Sequence, residues 1–110
     1  MATTPEGKTK QMIKRVLTEF GAYYAMPIGS GYGNAGVPDF LVCHKGWFIA
    51  IEAKAGKGKT TALQDAHLER ISDAGGIPLV IYEDAEDHLR AVMTSVDNIE
   101  VMYGKKTQNK

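Results

Sequence analysis

The sequence predicts one α/β domain in which helices flank a mixed central β-sheet. Segments with the apolar period of helices alternate with short runs of strand character. The 110 residues suit one compact domain, and 44% of them are hydrophobic, which is enough to form a core. The elements follow one another as αβββαβα, with no internal repeat, linker or second domain.

The first helix is predicted between two capping signals. Thr4 is an N-cap residue followed by proline, and Gly21 is a C-cap glycine. Apolar residues recur between them at helical spacing: Met12, Ile13, Val16, Leu17 and Phe20. A short strand that Pro27 interrupts is predicted over 23–28, and a glycine-rich loop over 29–36 follows it.

The rest of the chain predicts a β-hairpin, a helix, a buried strand and a last helix. The hairpin strands cover 39–43 and 47–54, the helix 61–74, the buried strand 77–82, and the last helix, capped by Asp84, 84–96. The tail over 104–110 is expected to be disordered. This leaves residues 1–103 as the folded domain.

The hairpin register brings two carboxylates together. A two-residue turn at Lys45-Gly46 places Asp39 directly opposite Glu52, with Cβ atoms about 5 Å apart. Because side chains alternate between faces, Lys54 lies on the same face one pleat beyond Glu52. Facing carboxylates destabilise a hairpin unless a cation neutralises them, and Mg²⁺ or Mn²⁺ prefers oxygen ligands.

An alternative interpretation is three solvent-facing polar residues at strand ends. Against it, the same face carries a row that we expect to pack in the core: Leu41, Cys43, Phe48 and Ala50. An acid pair and a lysine at the end of a core row favour a functional site. A register slip of one residue would separate them.

Two glycine-containing segments resemble phosphate-binding loops. Residues 31–36 match the glycine spacing of dinucleotide-binding loops, but a proline and a strand follow instead of the required helix. Gly58-Lys59-Thr60 resembles the end of a P-loop, but Ala53 occupies the position of the first glycine. A flexible basic loop touching a backbone phosphate is the better interpretation of the second segment.

Composition limits the location and the partners. A single cysteine, Cys43, allows no internal disulfide, and no apolar run approaches the roughly 20 residues of a membrane span. We therefore expect a cytoplasmic protein without a membrane partner. The net charge is zero, but residues 1–60 are mainly basic and 83–100 mainly acidic. The basic part suits phosphates, with ordinary solvated faces as the alternative.

Pro38-Asp39 followed by Glu52-Ala53-Lys54 resembles the signature of the PD-(D/E)xK nucleases, whose core has the element order αβββαβ. Further residues accompany this signature in the same order along the chain: Glu6, Gly21, Ser30-Gly31, Gly36-Val37, Gln64 and Ala74-Gly75-Gly76. With them the chain resembles, over residues 5–85, the VRR-NUC family of virus-type replication-repair nucleases. The resemblance implies a restriction-endonuclease-like fold. The acidic segment and the helix over 84–96 depart from it, and either form a dimer surface or cover the sheet.

The resemblance implies roles for the matching positions. Asp39 and Glu52 would bind Mg²⁺ or Mn²⁺ together with the backbone carbonyl of Ala53, and Lys54 would be the catalytic lysine. Glu6 would approach the metal through water, and it lies seven residues before Ile13, on the inward stripe. An acid there also complements the helix dipole. Gln64 would bind a water or a phosphate, with an exposed first-turn residue as the alternative.

Together these observations predict a metal-dependent endonuclease that hydrolyses DNA phosphodiesters. Six basic residues are expected to contact the DNA backbone: Lys8, Lys10, Lys14, Arg15, Lys57 and Lys59. No segment suggests base-specific contacts, so recognition is expected to be structure-selective. The resemblance implies a homodimer on branched DNA, hence a Holliday-junction resolvase of DNA repair or recombination, with a viral or mobile-element origin in a bacterial or virus-infected cell.

Three alternatives stay open at this stage. One is a flap or single-strand nuclease of the same fold. Another is a DNA-binding module without catalysis, against which the intact acid pair and lysine argue. The third is a protein-interaction domain whose acidic last helix docks a partner.

Overall fold

The structure, a computed structural model, describes residues 4–28 and 35–108. Over these residues the chain forms α1 (Pro5–Phe20), β1 (Tyr23–Ala25), β2 (Phe40–His44), β3 (Trp47–Ala53), α2 (Ala62–Asp73), β4 (Ile77–Ile81) and α3 (Glu86–Gln108). The predicted α/β class and element order are confirmed. None of the helices in this described part is long and apolar enough to cross a membrane.

Helix α1 begins and ends where the sequence predicts. The Thr4 side chain accepts a hydrogen bond from Gly7 N at 2.9 Å. Gly21 adopts a left-handed conformation with φ 74°, which glycine reaches without steric cost. The apolar stripe between these caps is buried: Met12, Ile13, Val16 and Leu17. The caps and the stripe together fix where the first turn of α1 lies.

The four strands form one mixed sheet in the order β1-β2-β3-β4. Strands β1, β2 and β3 pair antiparallel, and β4 pairs parallel with β3. The parallel pair requires a crossover, which α2 supplies between β3 and β4. The predicted mixed sheet is therefore confirmed.

The hairpin register that the sequence predicts is also confirmed. His44 faces Trp47, and Phe40 faces Ile51. Lys45 and Gly46 form the turn with φ of 55° and 85°, the left-handed pair that matches the twist of a two-residue hairpin. The same register, continued by one residue, places Asp39 opposite Glu52.

The expectation about the core face of the hairpin was wrong for most of its residues, although Ala50 is fully buried as expected. The larger fully buried side chains of the sheet come from the other face: Phe40, Val42, Ile49, Ile51 and Ile81, together with Ala53. They pack against α1 and α3 in one core cluster. On the predicted core face, Cys43 is exposed and Phe48 is 44% exposed. Helix α2 packs against β4 and has no buried side chain, so it covers this part of the face incompletely.

Some element boundaries differ from the predicted ones. Strand β1 ends at Ala25 rather than at residue 28, and Pro27 beyond it has no N–H to pair with β2. Helix α3 begins at Glu86, so Ala85 rather than Asp84 stands at the N-cap position. The glycine-rich stretch over 29–34 lies outside the described residues.

Helix α3 extends beyond the predicted end at residue 96. It continues through Gln108, so most of the tail predicted to be disordered belongs to the helix. No proline follows residue 96, and Gly104 costs a helix only about 1 kcal/mol relative to alanine. Residues 109–110 lie outside the described part.

Gly36 allows the loop before β2 to approach α2 closely. Its φ is 85°, and a Cβ there would lie 2.7 Å from the backbone carbon and oxygen of Leu63. We expect Gly36→Ala to lower the free energy of unfolding by about 2 to 5 kcal/mol, through backbone strain and overlap with α2.

Gly46→Ala is the matched control for this prediction. Gly46 has the same φ of 85°, but a Cβ there meets nothing within 4 Å. The free energy of unfolding of Gly46→Ala should fall only by the contribution of backbone strain, about 1 to 2 kcal/mol. Urea unfolding of both proteins measures the difference, and equal losses would mean that the contact with Leu63 is unimportant.

Candidate metal centre

Three carboxylates meet at the end of the sheet where β3 ends. Glu6 comes from the first turn of α1, Asp39 directly precedes β2, and Glu52 is the penultimate residue of β3. Each offers one oxygen, and these atoms all lie within 4.8 Å of one another. The structure therefore brings together the three acids proposed for metal binding, including Glu6 from a different element.

Two groups hold the Asp39 carboxylate in place. Its Oδ2 accepts a hydrogen bond from Ala53 N at 2.8 Å. This bond extends the β2–β3 ladder, with the Asp39 side chain as the acceptor in place of a backbone carbonyl. Its Oδ1 lies 3.5 Å from Lys10 Nζ. Ala53 is fully buried, with its side chain in the core cluster, as the register predicts. Its carbonyl remains a proposed ligand.

Glu52 is 2% exposed, and this burial gives it an unusual acidity. Burial raises the pKa of its carboxyl, and the negative charge of Asp39 and a hydrogen bond with it raise the pKa further, to about 8. The Lys54 ammonium, 3.9 Å away, acts in the opposite direction. Without a further cation, Glu52 therefore keeps its proton at neutral pH.

Gln64 contacts Glu52 and also begins α2. The side-chain Oε1 of Gln64 accepts a hydrogen bond from Thr61 N at 2.9 Å, and the backbone N–H of Gln64 donates to Thr61 Oγ1 at 3.2 Å. This capping box orients the amide so that Nε2 donates to Glu52 Oε2 at 2.9 Å. Gln64 thus holds the carboxylate instead of standing exposed on the first turn.

Lys54 is 9% exposed, and its backbone is held from two sides. Its N–H donates to Ile81 O at 2.9 Å, and its carbonyl accepts from Thr9 Oγ1 at 3.0 Å. Thr9 is fully buried on the stripe that also contains Ile13. Thr9 therefore links α1 to the end of β3.

Sequence reasoning missed Thr9, although a signal was present. It lies four residues before Ile13, on the stripe predicted to face the core. A hydroxyl buried at such a position needs a hydrogen-bond partner, since an unpaired one costs about 1 to 3 kcal/mol. The partner itself, 45 residues away in the chain, could not be read from the spacing.

The predicted DNA-contacting residues fall into three groups. Lys10 contacts Asp39 within the cluster. Arg15 donates to both Glu86 oxygens at 2.9 and 3.0 Å, so its guanidinium is already engaged with a carboxylate. The exposed side chains that remain are Lys8 and Lys14 on α1, and Lys57 and Lys59 between β3 and α2.

The basic segment between β3 and α2 is held against the end of β4, whereas the sequence suggested a flexible loop. Tyr82 Oη donates to Gly58 O at 2.7 Å. Gly56 N donates to the Glu83 carboxylate, 3.1 and 3.2 Å from its two oxygens. Lys57 and Lys59 therefore project from a fixed backbone beside the end of β3.

The acidic segment makes contacts within the chain and supports the covering role of α3. Hydrogen bonds and charge from Arg15 and Arg90 lower the pKa of Glu86 to about 2. Asp97 Oδ1 lies 2.6 Å from the Nε2 of the buried His44. The inner face of α3 packs into the core through Leu89, Met93 and Val96.

No protein-family model matches the chain, and no curated protein matches it significantly. The resemblance to the VRR-NUC family therefore rests on the matching residues of the chain alone. Function has to be inferred from the chemistry of the carboxylate cluster and its buried lysine.

Proposed function

We propose that the chain is a metal-dependent nuclease that hydrolyses DNA phosphodiesters. One observation carries the proposal: three carboxylates lie within 4.8 Å of one another, and the buried Lys54 ammonium lies 3.9 Å from Glu52. Such a set of hard oxygen donors suits Mg²⁺ or Mn²⁺. An ammonium next to the ligands can stabilise the charge that develops on an attacked phosphate.

The residues present fit a divalent cation. Burial and the neighbouring charge of Asp39 raise the pKa of Glu52 to about 8, which means that the cluster lacks positive charge. A divalent cation would supply that charge and favour the ionised carboxylate. Asp39, Glu52 and the Ala53 carbonyl would hold the cation, and Glu6 would approach through water.

When bound, the cation would polarise a phosphodiester oxygen and activate a water molecule for attack. The water oxygen would bond to phosphorus and release a proton, while the bond to the leaving oxygen breaks and that oxygen takes up a proton, which gives a phosphate monoester and an alcohol. Lys54 orients the water or stabilises the charge on the phosphate. Thr9 supports this role by holding the Lys54 backbone in place. Gln64 keeps Glu52 in position.

The proposed substrate is DNA recognised by its shape. Lys8, Lys14, Lys57 and Lys59 are exposed and available to backbone phosphates, which carry no sequence information. Arg15, also predicted to contact the DNA backbone, has its guanidinium engaged with Glu86 in this structure. From the family resemblance we further propose a homodimer, whose two sites would suit the symmetric strands of a Holliday junction.

Cleavage of labelled DNA tests this function. Purified protein is incubated with four-way junction, flap, single-stranded and duplex DNA in Mg²⁺ or Mn²⁺, beside Asp39→Asn and a control, Asp87→Asn. Asp87 is an exposed acid on α3, so the control carries the same chemical change away from the cluster. We expect paired symmetric cuts in the junction with wild type and control, and a loss of roughly 1,000-fold with Asp39→Asn.

The other outcomes distinguish the alternatives. Cleavage of flaps or single strands, with intact junctions, would keep the chemistry but contradict the resolvase and the dimer. Equal cleavage by Asp39→Asn would place the active site elsewhere. DNA binding by a folded protein that cuts none of the four substrates would overturn the enzyme and favour a DNA-binding module.

A further inference from the structure

Helix α1 places a second ammonium group against the carboxylate cluster. Lys10 lies one helical turn after Glu6, so the two side chains project from the same face of α1. Lys10 Nζ is 3.5 Å from Asp39 Oδ1, while Ala53 N occupies Oδ2. Lys10 thus contacts the Asp39 oxygen that the backbone leaves available.

Lys10 and a divalent cation would compete for this oxygen. Both are positive, and two cations at one carboxylate repel each other strongly where water is partly excluded. The Asp39 side chain is only 20% exposed, so solvent screens this repulsion incompletely. Metal binding at Asp39 is therefore coupled to the position of the Lys10 ammonium.

Lys10 is also able to leave, unlike the other cation of the cluster. Its side chain is 34% exposed, and its four-carbon stem allows the ammonium several positions. The Lys54 side chain is 11% exposed, and Thr9 holds the backbone of that residue. The two lysines are thus suited to different tasks, one movable and one fixed.

The charge balance indicates where Lys10 goes. The metal-free cluster contains three carboxyl groups and two ammonium groups, so it offers a phosphodiester no excess of positive charge. A bound divalent cation changes this balance to one net positive charge, which attracts a phosphodiester. A phosphate held there offers Lys10 a new anionic partner beside the one it has lost.

We propose that Lys10 is an exchangeable counter-ion of the metal site: it neutralises Asp39 in the metal-free protein, yields Asp39 to the divalent cation, and then binds the DNA phosphate. The proposal rests on the proposed nuclease function. It assigns Lys10 a role at the reacting phosphate, which is distinct from contacts elsewhere along the DNA backbone.

Calorimetric titration with Mn²⁺ alone tests the exchange without any measurement of activity. Lys10→Met removes the charge and keeps most of the side-chain stem. We expect it to bind Mn²⁺ about threefold to tenfold more tightly than wild type, because the competing ammonium is gone. Lys14→Met removes the same charge one turn further along α1 and should leave the Mn²⁺ affinity unchanged.

Kinetics on DNA provide the second readout. We expect Lys10→Met to raise KM for DNA about tenfold with a smaller change in kcat, because the phosphate loses one charged partner. Lys10→Arg retains the charge and should keep the Mn²⁺ affinity near that of wild type. An equal change in Lys10→Arg and Lys10→Met would assign the effect to packing and overturn the exchange.

The controls separate failure of this inference from failure of the proposed function. If wild-type protein binds no Mn²⁺, the metal-dependent nuclease is contradicted, and the exchange falls with it. If wild type binds Mn²⁺ but Lys10→Met binds it equally or more weakly, only the role of Lys10 is overturned. Circular dichroism of each variant verifies that the compared proteins are folded.

Discussion

Glu52→Gln is expected to make the metal-free protein more stable at pH 8 and, at the same time, to abolish its metal binding and remove most of its DNA cleavage. Glutamine has nearly the shape of the protonated carboxyl and can keep the hydrogen bond that Gln64 Nε2 donates at 2.9 Å. It cannot ionise, so the burial and the Asp39 charge that together raise the Glu52 pKa to about 8 no longer lower stability at alkaline pH. We expect a gain of about 2 to 3 kcal/mol over wild type at pH 8, on the order of 10 °C in Tm.

The sign of this effect follows from the protons bound in each state. In the unfolded chain Glu52 ionises near its ordinary pKa of 4.5, whereas in the metal-free folded protein it keeps its proton up to about pH 8. Between these values the folded state binds more protons, so wild-type stability falls as pH rises, by at most about 1.4 kcal/mol per pH unit. The advantage of Glu52→Gln should therefore be small at pH 5 and large at pH 8.

Thermal unfolding in a chelator at the two pH values measures this difference. Glu69→Gln, at an exposed position of α2, is the control and should follow wild type at both values. Added Mn²⁺ should raise the Tm of wild type but not of Glu52→Gln, because binding to the folded state alone stabilises it. A stability gap of equal size at pH 5 and pH 8 would show that the Glu52 carboxyl ionises normally.

The same substitution should lower DNA cleavage by roughly 1,000-fold, since one ligand accounts for several kcal/mol of transition-state stabilisation. Gain of stability and loss of activity in one variant is typical of a functional carboxylate held in an unfavourable site. A purely structural carboxylate would show the opposite pattern. The pair of measurements therefore distinguishes the proposed role of Glu52 from a structural one.

Much of this site could be predicted because local signals determine it. The Lys45-Gly46 turn sets the hairpin register, and the register alone brings Asp39 to Glu52. The capping residues Thr4 and Gly21 likewise fix the ends of α1, and with them the place of Glu6 in its first turn. Such features depend on residues close in the chain, where spacing and backbone conformation are informative.

The face of the hairpin that forms the core could not be predicted in the same way. Both faces of β2 carry apolar side chains, Phe40 and Val42 on one and Leu41 and Cys43 on the other. A nearly continuous apolar run does not indicate which face is covered more completely. The packing of α1 and α3 on the same face decides this, and it is a property of the whole fold.

Ion pairs between segments far apart in the chain also could not be predicted from the sequence. Arg15 and Glu86 are 71 residues apart, and no spacing rule relates them. Their bidentate contact makes Arg15 a link between α1 and α3, although the sequence alone had suggested a DNA contact. The contact of Lys10 with Asp39 similarly requires the relative placement of α1 and the hairpin, which only tertiary packing provides.

Lys54→Met is expected to slow DNA cleavage about 100- to 10,000-fold while Mn²⁺ still binds. Methionine fills most of the space of the lysine stem, which is only 11% exposed, and Thr9 Oγ1 can still donate to the backbone carbonyl. The variant therefore removes the ammonium with little change in packing. The loss should appear in kcat, because the ammonium is proposed to act on the reacting water or phosphate.

The Mn²⁺ affinity of Lys54→Met should stay within several-fold of wild type, because two effects oppose each other. Loss of the ammonium removes repulsion toward the cation, but it also removes the charge that lowers the Glu52 pKa, so that carboxyl ionises less readily. Raising the pH should therefore strengthen Mn²⁺ binding more in Lys54→Met than in wild type.

The control is Lys57→Met, on the exposed segment after β3, which should change KM and its salt dependence rather than kcat. Undiminished kcat in Lys54→Met would exclude the lysine from the chemistry, and loss of Mn²⁺ binding would make it a structural partner of Glu52.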